Sequence, residues 1–85
     1  MQLSYSRSFK KDYKKLPKKI QGQLGIRVQL FKENKFNPHL NNHAVHYPYS
    51  GCRSINITGD IRALYETMDD TITFIRIGTH SELYK

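Results

Sequence analysis

Apolar residues recur at helical spacing in the first part of this chain and at strand spacing in the last part. That change of period constrains the fold more than any other feature. Phe9, Tyr13 and Leu16 fall at i, i+4 and i+7, one face of a helix that Ser6 or Ser8 can cap and that runs to about Leu16. Lys10, Lys11, Lys14 and Lys15 lie largely on its other side. Pro17 breaks the pattern and serves as an early position of a second helix. That helix runs to about Glu33, striped by Ile20, Leu24, Val28 and Phe31. Gly22 and Gly25 weaken it locally, each by about 1 kcal/mol relative to Ala. Two amphipathic helices with a proline between them read as a helical hairpin, and the alternation over residues 2–5 predicts a short strand ahead of it.

Residues 34–51 are rich in Asn, Pro, Ser and Gly, which predicts loop, and they hold three of the four histidines. Strand alternation starts at Cys52 and runs to Thr58. Gly59-Asp60 then makes a turn, Ile61–Met68 a second strand, Asp69-Asp70 a second turn, and Thr71–Gly78 a third strand rich in β-branched residues. The last residues, 79–85, form a short cap. The order β-α-α-β-β-β predicts an α+β fold, with two N-terminal helices packed on one face of a small antiparallel sheet. The opposite face is then expected to be free for a ligand.

At 85 residues the chain is expected to be a single domain, residues 1–85. One cysteine, Cys52, allows no internal disulfide, which suits a reducing cytoplasm. No apolar run approaches the ~18 residues of a membrane span, and the N-terminus lacks a signal peptide's apolar core. The net charge is +7, and it is unevenly placed: residues 1–35 hold ten Lys/Arg against two acids. A polyanion is the natural partner, with nucleic acid first and an acidic protein second. The plainer reading of the lysine run is a solvated helix face.

No P-loop, dinucleotide fingerprint or nucleophile elbow is present. His39, His43 and His46 lie close together with Cys52 following, but they sit in a loose Asn/Pro loop without paired ligands, so neither metal nor cofactor is expected. The groups that remain suit metal-free cleavage of RNA. There a 2′-hydroxyl attacks the adjacent phosphate and expels the 5′-oxygen. A base takes the 2′ proton, an acid protonates the leaving oxygen, and cations stabilise the phosphoryl charge. Imidazole serves either proton-transfer role, since its reference pKa of about 6.5 lies near working pH. Guanidinium forks suit phosphate oxygens. His43, His46, His80, Asp60, Arg53, Arg62 and Arg76 are available from loop, strands and tail.

Gly51-Cys-Arg-Ser-Ile-Asn-Ile-Thr-Gly-Asp60-Ile-Arg-Ala-Leu-Tyr65, followed by Phe74-Ile-Arg-Ile-Gly-Thr-His-Ser-Glu-Leu-Tyr84, resembles the RelE/ParE toxin superfamily. The chain is most similar to the YafQ-like branch of RelE-type messenger-RNA interferases. The N-terminal Ser-Phe-Lys-Lys-Asp helix start matches too, so the likeness spans essentially the whole chain, and its most specific part is the tail from Gly78 to Tyr84. The resemblance implies the toxin of a type II toxin–antitoxin system: a ribosome-associated endoribonuclease acting on messenger RNA and neutralised by a cognate antitoxin. It implies catalytic roles for His80, Asp60 and His43, with Arg53 at the phosphate and Tyr84 near the scissile nucleotide. One departure stands out: where the branch carries a further His, four residues before the acid, this chain has Asn56, which exchanges no proton at neutral pH.

Each assignment has a plainer rival. Asp60 follows Gly59 in a turn that needs such residues for backbone reasons alone. His80 sits at a strand end, where a capping His is common. Tyr84 either stacks on a base or closes the core. Arg53 shares a face with Ile55 and Ile57, an unusual place for a plain surface Arg. Arg62, Arg76, Lys10 and Lys14 are expected as lesser substrate contacts. Two other functions share the fold: a ParE-like toxin that binds DNA gyrase without nuclease chemistry, and an RNA-binding module without activity. The histidines near the tail favour the nuclease.

Overall fold

A computed structural model describes residues 1–84. It contains β1 (Gln2–Tyr5), α1 (Arg7–Lys14), α2 (Lys18–Glu33), a 3₁₀ turn (Pro38–Leu40), β2 (His43–Ala44), β3 (Arg53–Asn56), β4 (Ile61–Met68), β5 (Thr71–Thr79) and α3 (His80–Leu83). The fold is α+β, as the periodicities predict. The sheet has five strands in the order β1-β5-β4-β3-β2.

The sheet differs from the sequence reading in pairing and extent, and the strand expected over Cys52–Thr58 is confined to Arg53–Asn56. The sheet is mixed, because β1 pairs parallel to β5 while the other pairs are antiparallel. The helices and the following loop carry the chain from one sheet edge to the other, and the meander returns it beside β1. A two-residue strand, β2, also lies within the stretch read as loop, paired to Ser54 and Arg53. A strand that short leaves no alternation to detect.

Local chemistry explains the junctions. The Ser6 backbone N–H donates to Phe74 O (2.9 Å), its hydroxyl accepts from Phe9 N (3.0 Å) and donates to Ile75 O (2.9 Å). One residue thus ends the β1 pairing, caps α1 and ties both to β5. Gln21 on α2 donates to the Tyr13 and Leu16 carbonyls, satisfying the frayed end of α1 (3.0 and 3.3 Å). Asp69 adopts φ +55° in the tight Asp69-Asp70 turn.

The core lies between the helices and one sheet face. Phe9, Leu24, Val28 and Phe31 from the helices meet Ile55, Ala63, Tyr65, Ile72, Phe74 and Ile77 from the sheet and Ile57 just past β3. Phe74 is the hub: its ring centroid lies 5.4–5.9 Å from those of Phe31, Tyr5, Tyr65 and Phe9. A bulge in β5 sits where Tyr65 pairs with Phe74 but Leu64 pairs with Arg76, so Ile75 is the extra residue. It re-aims the strand end and keeps Ile77 in the core.

The opposite face is not open throughout. Leu64, Ser54 and Gly78 are buried there, as is Leu83 of α3. The C-terminal helix folds back over this face, and the segment before β3 joins it through Tyr49, whose hydroxyl donates to Leu83 O (2.9 Å).

Candidate active site

Pairing register arranges the second sheet face in rows. His43, Ser54, Leu64 and Arg76 form one, across β2, β3, β4 and β5. Asn56, Arg62 and Gly78 form the next. Beyond the last pair, Ile61 with Thr79, the chain continues into Asp60 on one strand and His80 on the other. His80 and Asp60 therefore leave the sheet at the same end.

His80 is the first residue of α3 and is exposed. Thr79 caps this turn: its hydroxyl accepts from Glu82 N (3.1 Å), while Glu82 Oε1 accepts from Thr79 N (2.8 Å). Gly78 packs closely under this turn. A Cβ there would lie 3.0 Å from Glu82 Oε1 and 3.6 Å from a Leu83 methyl. The His80 ring stacks on Tyr84, centroids 4.5 Å apart and planes 24° off parallel. Tyr84 meets Tyr49 edge-on at 5.5 Å. Burial, together with nearby Tyr49 and Cys52, pushes the Tyr84 phenol above its ordinary pKa, so it acts as a neutral ring.

Arg76 lies beside this aromatic pair. Its Nε donates to Asp12 Oδ2 (2.7 Å), Nη2 to Asp12 Oδ1 (3.3 Å) and Nη1 to Tyr49 Oη (3.1 Å). The hydrogen bonds with Asp12 raise its pKa further, so the charge is permanent. Arg62 curls toward the β3–β4 turn, donating through Nη1 to Thr58 O (3.0 Å) and Ile61 O (3.3 Å). Asn56, in the row of Arg62 and Gly78, has a buried Oδ1 with no hydrogen-bond partner among the described residues.

His43 stands apart, on β2. Three strand spacings of about 4.8 Å separate it from β5, so it faces His80 across the sheet rather than beside it. Its Nδ1 lies 2.7 Å from the Asn41 carbonyl, which can only accept; Nδ1 therefore carries the proton and Nε2 is left for a substrate.

Arg53 does not join the cluster. Its partner in register is Tyr65, a core residue, so it points to the helix-covered side of the sheet. There Nε donates to Asn42 Oδ1 (2.8 Å), the guanidinium lies over Phe36 (5.6 Å), and Asn42 donates onward to Tyr65 Oη (2.7 Å). The shared face with Ile55 and Ile57 was legible in sequence, but that is the face the helices cover. Lys10 and Lys14 also sit elsewhere, on the rim of a groove between α1 and α2.

A model of the YafQ family, "Bacterial toxin of type II toxin-antitoxin system, YafQ", matches residues 1–85. The chain belongs to the YafQ family. It is a toxin of the type II toxin–antitoxin class. Among solved structures it is similar to YafQ from E. coli strain BL21(DE3), 24% identical with a TM-score of 0.83, covering 98% of this chain and 97% of that one. The E. coli DinJ–YafQ complex matches at 25% identity and a TM-score of 0.81, covering 98% and 97%. A YoeB/ParE toxin from Agrobacterium tumefaciens shares the fold at 18% identity and a TM-score of 0.77, covering 94% and 99%. The curated proteins contain no match by sequence.

Two residues that hold Arg76 in this YafQ-family chain escaped sequence reasoning. Asp12 resembles any acid on a solvated helix, and Tyr49 any aromatic in a loop. Their shared partner lies 64 and 27 positions away, beyond the reach of local periodicity.

Proposed function

We propose that the chain is a messenger-RNA endoribonuclease that cleaves by 2′-hydroxyl attack without a metal. The observation that carries this is the imidazole of His80, exposed and braced on Tyr84, in a face that also presents the fixed cation Arg76. In the reaction O2′ attacks phosphorus, the P–O5′ bond breaks, and the products are a 2′,3′-cyclic phosphate and a 5′-hydroxyl. The 2′ proton passes to a base, and the leaving O5′ receives a proton from an acid. His80 takes one of these roles, and Asp60, at the same sheet end, takes or orients the other. Arg76 and Arg62 hold the phosphoryl oxygens as charge builds. Tyr84 supplies a neutral surface for a base, and His43 contacts the strand farther along the sheet.

The cognate antitoxin is the expected partner, as DinJ is of YafQ in the E. coli complex. The groove between α1 and α2 suits an acidic amphipathic segment: about 640 Å³, floored by Phe9, Leu24 and Val28 and rimmed by Lys10, Lys14 and Lys32.

Primer extension on messenger RNA, with and without ribosomes, tests the nuclease. Cleavage by the wild-type chain and its loss in His80→Ala, with folding retained, is the expected result. Inhibited DNA supercoiling with intact RNA would instead favour the gyrase-binding function.

A further inference from the structure

We infer that Asp12 and Tyr49 are positioning residues that aim the Arg76 guanidinium and join it to the helical turn bearing His80 and Tyr84. The inference rests on the nuclease reading, in which Arg76 holds the scissile phosphate. A guanidinium has five N–H donors. Asp12 takes one from Nε and one from Nη2, and Tyr49 takes one from Nη1, so a single N–H remains on each terminal nitrogen. The Arg76 side chain is 31% exposed, and three of its five N–H groups are engaged by the protein, which leaves two without a protein acceptor. Two N–H groups on one guanidinium suffice to meet two phosphoryl oxygens.

Each anchor is itself fixed. Asp12 is 17% exposed, and its Oδ2 also accepts from Ile77 N (3.1 Å), on the edge of β5 beyond its pairing with β1. It thereby ties α1 to the strand on which Arg76 stands. Tyr49 sits in a tight turn: its N–H donates to His46 O (2.8 Å), its carbonyl accepts from Cys52 N (3.0 Å), and Gly51 adopts φ +91°. Its hydroxyl accepts from Arg76, donates to Leu83 O, and its ring meets Tyr84, which stacks on His80. A continuous chain of contacts thus runs from Asp12 through Arg76, Tyr49 and Tyr84 to His80. A pendant arginine on a strand surface would instead sample many rotamers and lose entropy on gripping a phosphate.

The test uses the full chain with Asp12→Asn, Tyr49→Phe and each of these combined with Arg76→Ala. Asp12→Asn keeps an acceptor for Ile77 N–H, and Tyr49→Phe keeps the ring against Tyr84, so thermal unfolding should shift little. Single-turnover cleavage at saturating RNA should fall about 10²-fold in Asp12→Asn and about tenfold in Tyr49→Phe, the scale of a misplaced reacting group. The RNA concentration for half-saturation should change less. In the Arg76→Ala background neither substitution should cost anything further, because both act through that guanidinium. An independent readout is the Arg76 Nε–H signal in ¹⁵N NMR, resolved and slow to exchange in the wild type and lost in Asp12→Asn. Wild-type rates in both single variants, or equal losses with and without Arg76, would overturn the inference. If the wild type cleaves no RNA, the nuclease reading fails, and the Nε–H signal alone decides the positioning claim.

Discussion

Asn56 marks where this chain departs most from the pattern its own tail suggests. Its Oδ1 is buried without a partner among the described residues, in the row that holds Arg62 and Gly78. An amide there can orient a group but cannot accept a proton, so Asn56→His should raise the cleavage rate at least tenfold, toward the ~10²–10⁴ of positioned proton transfer. An unchanged rate would assign the base to another group. Tyr84 carries a prediction of a different kind. Because its phenol is pushed up in pKa by burial, Tyr49 and Cys52, it holds its proton throughout the neutral range. Tyr84→Phe should therefore retain most activity and the same pH profile. Tyr84→Ala should weaken RNA binding by the ~1–3 kcal/mol of a lost stacking surface, measured by fluorescence titration. The places of His80, Asp60 and Tyr84 in the fold were legible because they are local in sequence: a strand end, a turn and a short tail. Arg53 was legible as a residue on the apolar face, but no pattern in the chain says which face the helices cover. Asp12 and Tyr49 meet Arg76 only through the fold, so no local pattern could single them out.

Among the elements, α3 does most with least chain. Four residues close one sheet face, bury Leu83 and display His80. Gly78 permits this close approach, so Gly78→Ala should force the Glu82 cap or the helix to shift. The expected cost is about 1–3 kcal/mol in denaturant unfolding, with a larger loss of cleavage than of stability. A Gly78→Ala variant as active as the wild type would show that the position of α3 is not tightly set. The helical hairpin and the meander were readable from period and turn residues alone. The 3₁₀ turn, β2 and the parallel placing of β1 were not, since they are fixed by contacts across the sheet rather than by local preference. Phe74 shows what the elements gain by meeting: it is fully buried and touches rings from β1, α1, α2 and β4. Phe74→Ala should cost about 3–5 kcal/mol in the same unfolding measurement, enough to unfold most of a domain this small.

Over the whole molecule, two sides carry different features. The sheet face under α3 presents His80 and the paired cation Arg76, while the helical side carries the lysine-rimmed groove. Charge reversal separates them. Reversing Lys10, Lys14 and Lys32 should weaken antitoxin binding, read by calorimetry, far more than reversing Lys11, Lys15 and Lys18, which lie outside the groove. Equal effects of the two triples would reduce the groove to part of a diffuse basic field. The sheet face that carries His80 is tested by the ends of the RNA it leaves. Messenger RNA, free and ribosome-bound, is incubated with the wild-type chain and with His80→Ala, and the product ends are identified. The wild type should leave 2′,3′-cyclic phosphate and 5′-hydroxyl ends, and a folded His80→Ala should cleave about 10²–10⁴-fold more slowly. Undiminished cleavage by His80→Ala, or products with 3′-hydroxyl and 5′-phosphate ends, would rule out 2′-hydroxyl attack assisted by His80.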